Sequence, residues 1–144
     1  MGSADVADVL LDRAMQVTLA DVPALVSAAG TAAREAGLSD ARALRVELAV
    51  EEAAVNICAH TYSGSPGPLR LRMFRQKAAL LVELTDEGEA FNPLEAPPPD
   101  LAADLADRQI GGLGVEIIRR FADSACYERR GACNVLTLTF DLAA

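Results

Sequence analysis

Three short stretches of this chain carry residue types that can do chemistry. The first is a polar row, Glu52, Asn56 and His60, spaced i, i+4, i+8. On a helix, residues four apart lie one above the other on the same face. A carboxylate one turn from a carboxamide sets a proton acceptor beside a neutral oxygen ligand for a hard cation. The second is Asp86-x-Gly88, behind an apolar run at 78–84. A carboxylate there can accept from the exocyclic amine of a base, while glycine lets a flat ring approach the backbone. The third is Gly111-Gly112-Leu113-Gly114. At a helix start, free amides and the positive dipole end make such a turn an anion site. Taken singly, the row reads as a solvated helix edge, the Asp-x-Gly as an ordinary turn and the glycines as a flexible joint. Their order and spacing together carry the signal.

These residues need elements to hold them. The central helix is expected from Ser39, its N-cap, with Asp40 favouring the dipole, to about Tyr62, with no Gly or Pro between. Leu44, Leu48, Val55 and Ala59 recur at helical spacing along it. Upstream, residues 1–13 read as a polar lead-in or helical turn. A strand is expected at 15–20, and a helix from Asp21, with Pro23 in its first turn, to about Ala36, where Gly37 stops it. The cluster Ser63–Pro68 is a turn, followed by strands at 69–75 and 78–85 joined at Gln76-Lys77. Arg70, Arg72 and Arg75 alternate with apolar residues and read as a solvated strand face. A loop of nearly twenty residues, from Phe91 past Pro97-Pro98-Pro99 to Ile110, is long for a compact domain and reads as a functional segment. A helix at 115–122 and a final hairpin, 124–128 with 134–140, complete the order β-α-α-β-β-loop-α-β-β. That order predicts an α+β, two-layer sandwich: one mixed or antiparallel sheet with helices on one face.

Composition narrows the function. At 144 residues the chain is expected to be a single domain, 1–144, and 51% hydrophobic residues argue against disorder. Aromatics at 4% and no Trp make the core aliphatic and alanine-rich. A net charge of −8 disfavours direct nucleic-acid binding or an anionic membrane surface. Three cysteines, Cys58, Cys126 and Cys133, form no disulfide framework; Cys126 and Cys133 could face each other across the last hairpin, even as a metal site with His60, but no Cys-x-x-Cys spacing supports that, and buried apolar cysteines are expected. No leader or spanning segment is evident, and the cytoplasm is the default compartment. Lys77 is the only lysine, and no Gly precedes it, so a Walker A loop is excluded; the His-Arg-Asp kinase loop is absent too. A bound nucleotide would have to be held by amides, arginines or a metal.

The chain resembles the Bergerat-fold (GHKL) ATPase/kinase superfamily, and within it the stand-alone bacterial anti-sigma-factor serine/threonine kinases. Glu52-Ala-Ala-Val-Asn56 with His60 looks like the N box, Asp86-Glu-Gly-Glu-Ala-Phe91-Asn-Pro93 like the G1 box, and Gly111-Gly-Leu-Gly114-Val-Glu-Ile-Ile-Arg119 like the G2 box. The likeness covers about Met15 to Phe140. It implies Glu52 as general base, Asn56 as the ligand to Mg²⁺, and Asp86 with Gly88 as the adenine site. It implies Gly111, Gly112, Leu113 and Gly114 around the phosphates of ATP, residues 94–110 as the ATP lid, and Arg108 as a phosphate contact. Ala90 departs from the pattern, where a second glycine is frequent. The implied activity is transfer from Mg-ATP to a serine on an anti-anti-sigma, STAS-domain partner by a protein that otherwise sequesters a sigma factor, as a cytoplasmic homodimer. Two alternatives remain: an ATP-binding sequestration module without transfer, and a histidine-kinase-like catalytic domain acting in trans. A gyrase-type ATPase would require a following transducer domain, and the chain ends at Ala144.

Overall fold

A computed structural model describes residues 8–95 and 118–142. Five strands, β1 (Asp8–Val17), β2 (Gly67–Gln76), β3 (Ala79–Asp86), β4 (Ser124–Arg130) and β5 (Cys133–Asp141), form one sheet in the order β1-β2-β3-β5-β4. The sheet expected as mixed or antiparallel is antiparallel in every pairing. Two helices, α1 (Val22–Glu35) and α2 (Asp40–Asn56), cover one face. Alternate strand residues build the core on that face: Leu69, Leu71 and Met73 from β2, Leu80, Val82 and Leu84 from β3, and Leu136, Leu138 and Phe140 from β5. This is the expected two-layer α+β architecture.

Local chemistry sets the helix ends. The Ser39 hydroxyl accepts from the Arg42 amide at 3.2 Å, the expected cap of α2. Gly37, at φ +109°, closes α1: Leu38 N–H donates to Ala33 C=O and Gly37 N–H to Arg34 C=O, the paired bonds of a Schellman end. Asp21 differs from expectation. Its carboxylate takes bonds from the Thr18 amide and hydroxyl, at 2.8 and 3.0 Å, and so organises the short 3₁₀ turn before α1 rather than capping α1 itself.

Two further expectations are corrected. β1 begins at Asp8, so residues 8–13 are strand and not lead-in. Their polar look comes from partnership: Asp8 pairs with Arg75, and Asp12 takes Arg70 through both oxygens at 2.9 and 2.7 Å. A register irregularity between Val9 and Leu11 also breaks the alternation that marks a strand. The arginine stripe of β2 is therefore neutralised by acids of the adjoining strands, Glu83 included, and is no basic patch. In α2, Leu44 is 51% exposed, while Ala43, Val46, Ala49, Val50, Ala53 and Ala54 face the core. Small side chains let α1 and α2 lie close to each other and to the sheet, and the larger leucines were pushed to the rim.

Candidate functional site

The helix bearing the polar row does not stay α-helical to its end. It stops at Asn56 and continues as a π-helical turn, Ile57–Thr61. The wider turn breaks the strict i, i+4 stacking beyond Asn56. His60 is exposed but still borders the cleft, and Thr61 is brought against the β3 exit.

That cleft, about 290 Å³, lies between this helix end and the strands β3, β4 and β5. Asn56, His60, Asp86, Phe91, Tyr127 and Asn134 are among its walls, with Leu84, Ile118 and Leu136 supplying apolar surface. A small cavity with an apolar lining and a few convergent polar groups suits a flat heterocycle. Asp86 and Asn56, thirty residues apart in the chain, thus share one cleft as expected.

Asp86 is buried at the end of β3. Its Oδ1 accepts from the Gly88 amide and from Nδ2 of Asn134, each at 2.9 Å. Gly88 is required by space: a Cβ there would fall 2.1 Å from Cγ2 of Thr61. Tyr62 braces the same corner, donating to the Pro68 carbonyl at 2.5 Å and accepting from the Glu87 amide at 2.9 Å. Burial, before any charge effect, holds its phenol pKa above the usual value.

On the helix, Glu52 is half-buried, whereas Glu51 is exposed. Burial first, and the Glu51 charge second, raise the Glu52 pKa, which makes it a stronger proton acceptor than a free carboxylate. Oδ1 of Asn56 is buried with no hydrogen-bond partner among the described residues. An orphan neutral oxygen beside a cleft fits a cation that brings most of its own ligands, as Mg²⁺ on phosphates does. It does not fit a protein-only cation cage, and no cluster of three or more His, Cys, Asp or Glu able to hold a metal occurs among the described residues.

Arg108, Gly111, Gly112, Leu113 and Gly114, with most of the 94–110 segment, lie outside the described residues. Ile118, four residues past Gly114 in the sequence, is buried and lines the cleft. Cys126 and Cys133 do not face each other: Cys126 pairs with Thr137 and Cys133 with Arg130. Cys126 is exposed and Cys133 half-exposed, so the expectation of two buried thiols is corrected as well. Both sit on the helix-free side of the sheet, where alternation needs no apolar residue.

Sequence reasoning missed Asn134, Tyr127 and Arg129. Asn134 is buried and pairs in register with Asp86 across β3 and β5. Its Oδ1 accepts from the Tyr127 hydroxyl at 2.5 Å and from Arg129 and the Phe91 amide at 3.2 Å. Arg129 also donates to the Gly88 carbonyl at 2.8 Å. The available signal was one polar residue, Asn134, opening the apolar alternation of β5.

An antiparallel sheet backed by helices, with the cleft between a helix end and the strands, defines a Bergerat-type ATPase domain. The model of the histidine kinase-like ATPase domain matches residues 15–140, and the chain belongs to that family. It is 36% identical over 93 residues to the serine/threonine-protein kinase BtrW of Bordetella bronchiseptica, covering 64% of this chain and 66% of that one. It is 26% identical over 78 residues to the anti-sigma F factor of Caldanaerobacter subterraneus, covering 54% of each. The chain thus spans about two thirds and about half of the curated relatives it matches. A solved structure of the SiaB-SiaC complex from Pseudomonas aeruginosa shares the fold, with TM-score 0.66 over 92% of this chain and 89% of that one, at 16% identity. No helix among the described residues is long and apolar enough to cross a membrane.

Proposed function

We propose that this protein is an Mg-ATP-dependent serine/threonine kinase and anti-sigma factor. In this reading it sequesters a sigma factor, phosphorylates a serine on an anti-anti-sigma, STAS-type partner, and works as a cytoplasmic homodimer. The observation that carries the reading is the orphan Oδ1 of Asn56 on the same cleft as the buried carboxylate of Asp86. One end of that cleft suits a cation-bound phosphate chain and the other an amino-bearing base. The kinase and anti-sigma relatives support the choice of reaction and partners.

Bound Mg-ATP would supply the transferable phosphoryl group and the cation that neutralises its charge. Asp86 accepts from the 6-amino group of adenine, and Gly88 leaves room for the ring. Asn56 would hold the cation through its Oδ1. Glu52 takes the proton of the incoming serine hydroxyl, a role its raised pKa favours. Arg108 and the turn Gly111, Gly112, Leu113, Gly114 are proposed for the phosphates. A chain with one lysine can run such chemistry because amides and a metal replace the usual ammonium.

The test is calorimetry with ATP, with and without Mg²⁺, followed by labelled ATP offered with STAS-domain proteins from the same genome. Magnesium-dependent binding and label on a partner serine are expected. Binding without transfer to any partner would leave a sequestration module, and no binding would overturn the assignment.

A further inference from the structure

The amide of Asn134 has its orientation dictated by its neighbours. On one side stand two acceptors, Oδ1 of Asp86 at 2.9 Å and the Glu89 carbonyl at 2.8 Å. On the other stand three donors, from Tyr127, Arg129 and the Phe91 amide. A flipped amide would set oxygen against oxygen at Asp86 and Glu89 and N–H against N–H at Arg129 and Phe91; only the Tyr127 hydroxyl could turn to accept. The group is also buried, so no water can substitute cheaply for a lost partner.

The consequence falls on Asp86. Among the described residues, both hydrogen bonds to its carboxylate land on Oδ1. That leaves Oδ2 as a lone acceptor for a ligand. A free carboxylate can receive two parallel donors, one on each oxygen, as the N1–H and 2-amino group of guanine would offer. A carboxylate with one oxygen already saturated cannot take that pair. It can still accept one N–H of the 6-amino group of adenine, whose N1 carries no hydrogen.

We infer that Asn134 is a positioning residue that makes Asp86 a one-point acceptor and thereby selects 6-amino over 2-amino-6-oxo purine nucleotides. It acts through Asp86 and through the loop it ties down at Glu89 and Phe91. Tyr127 and Arg129 hold it in place from β4. This inference rests on the nucleotide-site reading above.

The experiment is a comparison of ATP and GTP dissociation constants for wild type, Asn134→Ala, Asn134→Ser and Tyr127→Phe. Wild type should prefer ATP. Asn134→Ala should weaken ATP about tenfold, the usual effect of losing a hydrogen bond to a charged group, while GTP holds or gains, so the preference shrinks by tenfold or more. Asn134→Ser, too short to span to Asp86, should behave alike and serves if the alanine variant does not fold. Tyr127→Phe removes one of the three donors that orient Asn134 but keeps the Asn134–Asp86 bond, so it should shrink the preference less than Asn134→Ala does. Equal weakening of both nucleotides in the Asn134 variants would show a merely structural role and overturn the inference alone. Wild type that bound neither nucleotide would overturn the site reading itself.

Discussion

The methyl of Thr61 occupies the place that a side chain on Gly88 would need, with only 2.1 Å between Cγ2 and a Cβ built there. The contact joins the π-helical turn to the β3 exit, so the helix end and the loop after Asp86 are fitted to each other. Gly88→Ala must therefore push Thr61 or the loop away. Nucleotide affinity should drop about tenfold or more, from overpacking of roughly 1–3 kcal/mol. Adding Thr61→Ser, which removes the methyl, should recover part of the loss. Titration of the single and double variants measures it; strictly additive losses would show that the two residues do not compete for space.

Asn56→Ala should leave the ligand-free protein no less stable, because it deletes a buried acceptor that has no partner among the described residues. A gain of about 1 kcal/mol is consistent with relieving such a group. The gain in stability that Mg-ATP confers on wild type, about 2.7 kcal/mol at a hundredfold excess over Kd, should vanish. Thermal melts of both proteins with and without Mg-ATP compare the two states directly.

Glu52→Gln should retain Mg-ATP binding and lose transfer. The same variant tests the raised pKa of Glu52, which comes from burial and then from Glu51. Because the folded state holds this proton more tightly than the unfolded chain, native stability falls as pH rises from the unfolded pKa through the folded one. Glutamine removes that slope. The variant should be more stable than wild type at pH 7, and the difference should close below about pH 4. Urea unfolding at several pH values reads it out, and a constant difference across the range would refute the shift.

Tyr62→Phe removes a hydroxyl bonded on both sides, to Pro68 and Glu87. The cost should be about 1–3 kcal/mol, from two lost bonds and the backbone groups left behind. Chemical denaturation measures it. The packing of the ring against Gly67 is unchanged by the substitution, so the loss should reflect the hydroxyl alone.

Much of this protein was legible before folding because the signals are local. Ser39 caps a helix wherever its hydroxyl meets a free amide, Gly37 closes one because φ +109° favours glycine, alternation in β2 marks a strand with one buried face, and the more uniformly apolar run of β3 marks a central strand. The pairing of Glu52 with Asn56, and of Asp86 with Gly88, also lies within a turn or two of chain. What tertiary structure alone decided depends on partners distant in sequence. Residues 8–13 are strand only because β2 supplies their hydrogen bonds and ion pairs. The buried face of α2 is the alanine side because close packing rewards small residues where two layers meet, and hydrophobicity alone does not rank Ala49 above Leu44. Asn134 reaches Asp86 across 48 positions because β5 pairs with β3 in that register, and a register is set by the whole sheet.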